Sequence, residues 1–168
     1  MESTEKKPQT TIRRLGTRLH RLTPIIDAAG KVIQYAVSPL RVELHRKDIA
    51  QIIIGASILA IPVGFTEEVW ALGEVLPLTN ILVLSLISIS FIATYVYFNF
   101  YRDLFREHLF NYLKRVILIY LLTLIIVGTL LTIIDRAPWV SDTLVAIKRT
   151  VIVSFPSSLS AALSDSID

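Results

Sequence analysis

Ile49-Ala-Gln-Ile-Ile-Ile-Gly-Ala-Ser-Ile-Leu-Ala-Ile-Pro-Val-Gly-Phe65 carries no charge, and with Thr66 it forms a run of 18 uncharged residues. At 1.5 Å per residue a helix of that length rises about 27 Å, close to the roughly 30 Å of hydrocarbon in a bilayer. The run predicts a first transmembrane span at about Asp48 to Phe65, with Gln51 and Ser57 as its polar side chains. Pro62 and Gly64 sit late in it and predict a kink or an unwinding just before an acidic stretch.

Three more segments follow the same logic. Asn80 to Phe100 lies in a charge-free window whose tyrosines and phenylalanines thicken toward its end, as an interfacial aromatic belt does. With no Gly or Pro between Pro77 and Gly128, that helix is expected to run on into the mixed-charge segment 101–115. Arg115 to Asp135 gives a third span, closed by Asp135, Arg136 and Pro138, with Trp139 as an interfacial anchor. Ser141 to about Ile167 is long enough to cross but more polar: Lys148, Arg149, Pro156 and several serines interrupt it. The expected fold class is therefore all-α, a polytopic membrane protein of about four spans over residues 48–168, behind a basic arm at residues 1–47.

Composition agrees. Of 168 residues 53% are hydrophobic and 18% charged, and the mean hydropathy is +0.60, well above that of an ordinary soluble domain. The arm holds ten Lys/Arg against four Asp/Glu. Residues 1–11 have no periodicity and are expected to be disordered. Ile12, Leu15, Leu19 and Leu22, then Ile25, Ala29, Val32, Ile33 and Ala36, recur at helical spacing. They predict two amphipathic helices lying on anionic lipid headgroups, a simpler partner than nucleic acid for a basic arm so close to membrane spans. The first apolar run starts too far from the N-terminus for a secretory signal. The 101–115 connection adds four basic residues, whereas the 66–79 and 135–142 connections hold only Arg136. The positive-inside rule then puts the arm in the cytoplasm, and four crossings return the C-terminus there.

Enzymatic chemistry has little to work with. The chain contains no cysteine, and His20, His45 and His108 all fall in basic stretches without the spacing of a metal or general-base pair. No cofactor is implied. The candidate site lies instead in Val63 to Pro77, where Glu67, Glu68 and Glu74 accompany Trp70. If the first helix continues through its kink, Glu67 and Glu74 share one face, and carboxylates near the hydrocarbon boundary need water, a cation or a basic partner. A ring of them around an oligomer axis would concentrate cations. Lys148 and Arg149, about nine residues into a helix starting near Trp139, would lie roughly 13 Å deep; Glu68 is the expected partner. Ser154, Ser157, Ala161 and Ser164, with Ser160, give small-residue spacings suited to a packing seam or a pore lining.

Two of these stretches resemble a known family. Thr66-Glu-Glu-Val-Trp70 with Leu72-Gly73, and Lys148-Arg-Thr-Val-Ile-Val-Ser-Phe-Pro-Ser-Ser-Leu-Ser160, are similar to elements of a domain-of-unknown-function family of bacterial and archaeal integral membrane proteins. The resemblance implies a membrane fold, a prokaryotic cell membrane, and Glu68, Trp70, Lys148, Arg149 and Pro156 as family positions. Glu67 stands where that pattern has an apolar residue, and the family supplies no activity. The resulting expectation is a homo-oligomeric cation channel with a glutamate ring; the alternatives are a non-conducting scaffold or partner-binding subunit, or a dimeric small-ion transporter.

Overall fold

In a computed structural model of the protein, residues 11–15, 18–27, 32–40, 44–102, 105 and 108–167 are described. The chain forms two compact units, 1–43 and 44–168. The expectation of a disordered start falls almost wholly on residues 1–10, outside the described residues.

The first unit corrects the expected amphipathic helices. Its segments are strands β1 (Thr11–Leu15), β2 (Arg18–Ile26) and β3 (Val32–Leu40), paired antiparallel in the order β1-β2-β3. Thr11 pairs with Leu22 and Leu15 with Arg18; Leu22 pairs with Val37, and the register shifts between Ile25 and Ile26. Two physical reasons favour strands. Thr23, Ile25, Ile26, Val32, Ile33 and Val37 are β-branched and fit a pleated surface. A helix broken at Pro24 would also be about 12 residues long, marginal without packing. Pro24 is tolerated in β2 because β1 pairs no further than Leu22, and Pro39 lies on the edge strand β3.

The second unit is helical as expected: α1 (Arg46–Gly64), α2 (Glu67–Val75), α3 (Leu78–Val96, extended by a π turn over Tyr97–Tyr101), α4 (Leu109–Ile133) and α5 (Thr143–Asp165). Four of them, 46–64, 78–101, 109–133 and 143–165, are long and apolar enough to cross a membrane. Their outward faces carry Ile54, Ile58, Leu82, Leu86, Ile117, Leu121 and Ile125, all exposed, an apolar surface that belongs in lipid.

Local chemistry sets the boundaries. The Asp48 carboxylate accepts the His45 backbone N–H at 2.9 Å and closes a capping box on α1. Asp142 caps α5 by accepting the Val145 N–H at 3.1 Å. At the end of α4, Asp135 takes a positive φ of 57°, a conformation Asp tolerates better than most residues. There the Leu131 carbonyl accepts N–H groups from Arg136 and Ala137 at 2.8 and 3.1 Å. α1 stops at Gly64, at the Pro62–Gly64 break expected there, and α2 restarts at Glu67, so the acidic stretch is a separate helix. The next helix ends earlier than the sequence implied. α3 ends with its π turn at Tyr101, and α4 starts at Leu109.

α5 is the least apolar of the four long helices and the most enclosed: half of its apolar window is buried, against a third or less in the others. It packs on α1, α2, α3 and α4. Close approach to α1 depends on Gly55, where a β-carbon would overlap the Ser164 side chain and the Ser160 carbonyl. Ser160, Ala161 and Ser164 of the small-residue seam thus pack against α1 at Gly55, with Ala161 fully buried there.

Candidate functional site

An arginine tie closes each end of α5. At the α2 end, Arg149 is 8% exposed. Its Nε donates to the Trp70 carbonyl at 3.1 Å, one terminal nitrogen to the Arg136 carbonyl at 2.9 Å, and the other to a Glu74 carboxylate oxygen at 2.7 Å. The planar fork therefore joins α5, α2 and the α4–α5 connection at once. Gly73 makes the approach possible, because a β-carbon there would overlap the Arg149 side chain. Trp70 is fixed by its ring N–H, which donates to the Gly64 carbonyl at 2.9 Å, and the Arg136 guanidinium lies 3.9 Å from its ring centroid.

The expected pairing of Arg149 with Glu68 is corrected: the partner is Glu74. The break at Phe65–Thr66 starts a new helix whose buried face carries Val69 and Gly73, so Glu67 and Glu68 fall on the exposed side. Glu74 is also exposed, with 64% of its side chain open, but it sits next to Gly73 and reaches the guanidinium. Lys148 is buried and, among the described residues, forms no ion pair or hydrogen bond. Because α5 starts at Thr143, Lys148 lies about 7.5 Å into the helix, shallower than the expected 13 Å.

At the opposite end Arg115 is fully buried and bonded bidentately to Asp165, Nε to one carboxylate oxygen at 2.7 Å and a terminal nitrogen to the other at 3.0 Å. Asp48 approaches the same guanidinium at 3.6 Å. The Phe100 ring centroid is 3.8 Å from the guanidinium carbon, and the buried Tyr101 belongs to the same cluster. This tie joins α1, α4 and α5. Among the described residues, two carboxylates meet this one guanidinium. Sequence reasoning missed it, although a signal was present. Asp48 opens the first span, Arg115 opens the third and Asp165 ends the fourth, so four crossings put opposite charges at one membrane face.

Between the ties the interior is lined by hydroxyls. Thr123, Thr150, Ser157 and Ser158 are buried, and each donates to a carbonyl of its own helix at 2.8 to 3.0 Å. Ser154, at 0% exposure, and Ser88 of α3, at 1%, have hydroxyls with no hydrogen-bond partner among the described residues. Of the expected seam residues, Ser154, Ser157 and Ala161 are fully buried, and Ser164 is partly buried against Gly55.

No curated protein and no solved structure matches the chain. A family model does, over residues 20–165, which takes in all four long helices and both arginine ties. With that coverage and this architecture, the chain belongs to the DUF2391 family of integral membrane proteins.

Proposed function

We propose that the protein passes small monovalent cations across a prokaryotic cell membrane by a route inside the helical bundle, along α5, with the arginine ties as its two closures. The observation that carries this reading is an inversion: the most polar long helix is the most enclosed. Polar and ionisable groups at membrane depth are expensive and as a rule functional. A bundle built only to hold its shape is better served by apolar packing.

The basic arm and the 101–115 connection face the cytoplasm. The arm lies against anionic headgroups, drawn by its excess of Lys and Arg. The Arg115 tie is then the inner closure and the Arg149 tie the outer one. Glu67, Glu68 and Glu74, exposed on α2, raise the local cation concentration at the outer mouth, as acidic residues do at channel entrances. The two carboxylates of the inner cluster favour the same sign. This arrangement puts the route within one bundle; assembly of copies is not needed to build it, in contrast to the expected glutamate ring.

Reconstitution tests the reading. Liposomes carrying the full chain are expected to show protein-dependent Na⁺ or K⁺ flux, enhanced by Asp165→Asn, which loosens the inner closure, and reduced by neutralising Glu67 and Glu68 together. Liposomes as tight as protein-free ones at all voltages and pH values, for wild type and Asp165→Asn alike, would refute permeation and leave a scaffold.

A further inference from the structure

The helices hold Gly55, Gly64, Gly73 and Gly128, and the fold uses the first three to bring elements together. A β-carbon at Gly55 or Gly73 would overlap its neighbours, and one at Gly64 would press on the Leu130 side chain at 3.3 Å. Gly128 is different. A β-carbon there would meet only the Thr150 methyl and the Trp139 ring, each at 3.8 Å, an ordinary van der Waals contact. Glycine inside a helix is destabilising relative to alanine, and nothing among the described residues offsets that at Gly128.

Gly128 instead opens the floor of a groove. Leu124, Gly128 and Thr132 form one row of α4, Ile125, Thr129 and Ile133 the adjacent row, and with Trp139 they line about 410 Å³ of space. The groove faces lipid, since Ile125 and Ile133 are exposed on a spanning helix. From Leu124 to Ile133 it rises about 14 Å, close to half of the roughly 30 Å hydrocarbon core, so it runs the depth of one leaflet. Ile133 and Trp139 mark its end at the α4–α5 connection, and Leu124 lies toward the middle of α4.

The lining has no polar group to satisfy. Thr129 donates to the Ile125 carbonyl at 2.8 Å, Thr132 to the Gly128 carbonyl at 2.6 Å, and the Trp139 ring N–H to the Thr132 hydroxyl at 2.8 Å. With each side-chain donor of the groove already used, hydrocarbon is the occupant that loses no hydrogen bond by entering. The 410 Å³ holds about 14 groups of methylene size at about 30 Å³ each, the share a water molecule takes in the liquid. That is the size of one lipid chain. A helix of a second copy is the other apolar candidate, because small residues permit close approach. Such a helix is about 10 Å across, and the Trp139 ring beside Gly128 stands where its backbone would have to come closest.

We infer that the groove holds one acyl chain of a phospholipid from the leaflet at the α4–α5 connection, running from Trp139 over Gly128 toward the midplane. The chain fills the space that glycine leaves. The site lies on the outside of the bundle and is independent of the cation route.

The test is fluorescence of the detergent-purified full chain, whose two tryptophans are Trp70 and Trp139, titrated with a phosphatidylcholine brominated along one chain. The quenching that disappears in Trp139→Phe reports the groove, and it is expected to saturate with bromolipid. Gly128→Leu and Thr129→Leu fill the groove from its two rows; each is expected to weaken the apparent affinity roughly 10-fold or more, equivalent to denying the chain two buried methylenes. Thr129→Leu carries the comparison if circular dichroism shows Gly128→Leu to be unfolded. Leu86→Phe, which adds bulk to the exposed face of α3, is expected to leave the affinity unchanged. Trp139 quenching that rises with bromolipid without saturating, or that is the same in the folded groove variants as in wild type, overturns the site. A cross-linked dimer that Gly128→Leu or Thr129→Leu separates into single chains also overturns it, because the groove then belongs to a second copy.

Discussion

Asp165→Asn is the most informative single perturbation. The substitution keeps the side-chain shape and one acceptor oxygen but removes the charge that Arg115 meets through two hydrogen bonds at 2.7 and 3.0 Å. Arg115 has no exposure to solvent, and its remaining carboxylate, Asp48, is 3.6 Å away. Breaking a fully buried pair from one side is destabilising by about 3–5 kcal/mol; the retained acceptor puts the expected loss near the lower figure, about 3 kcal/mol. For a chain of this length that is a fall of roughly 6–12 °C in thermal midpoint. Glu74→Gln is the comparison, because Glu74 also bonds an arginine at 2.7 Å yet has 64% of its side chain exposed. Its expected loss is about 0.2–1 kcal/mol. Thermal melts of the two purified variants in one detergent, followed by circular dichroism, measure the difference. Replacing both partners, Arg115→Met with Asp165→Leu, should recover part of the loss, since of the cluster's buried charges only Asp48, whose carboxylate keeps the His45 backbone N–H, is then left without the guanidinium. Equal shifts for Asp165→Asn and Glu74→Gln would refute the argument that burial sets the strength of these ties.

Three further outcomes follow from the packing. Arg149→Lys replaces a fork serving three acceptors with a point charge; a loss of about 1–3 kcal/mol in the same melts is expected, and a neutral result would contradict the geometry. Gly73→Ala drives a β-carbon into the Arg149 side chain and should destabilise by about 1–3 kcal/mol, while making Arg149→Lys less harmful in the double variant. Glu68→Gln, on the exposed side of α2, should leave stability within about 0.5 kcal/mol of wild type in the same melts; a large shift would restore Glu68 as an interior partner.

The four long helices were legible because charge-free windows of span length have few alternative explanations, and α5 was recognisable despite Lys148 and Arg149. Its role as the central helix was not, because burial depends on which faces the other helices offer. A charge such as Arg149 inside a span calls for a polar interior, water or a carboxylate, and here it meets a carboxylate. The choice of Glu74 over Glu68 turned on the break at Thr66, which rotates every later side chain. In the arm, leucines at helical spacing among arginines looked amphipathic, yet β-branched residues and two prolines settle it as a sheet, a competition that local pattern does not decide. The Arg115 cluster escaped notice because Asp48, Arg115 and Asp165 are remote from one another in sequence and meet only when three spans come together.

The enclosure of α5 also bears on biogenesis. A segment carrying Lys148, Arg149 and Asp165 partitions poorly into lipid alone, since charged residues within a span oppose insertion, most steeply at its centre where each costs about 3 kcal/mol. Yet it emerges from the ribosome after α1, α3 and α4, each more apolar. The strongly inserting spans can therefore be lodged before the reluctant one arrives and offer it Glu74, Arg115 and the Gly55 notch in place of hydrocarbon.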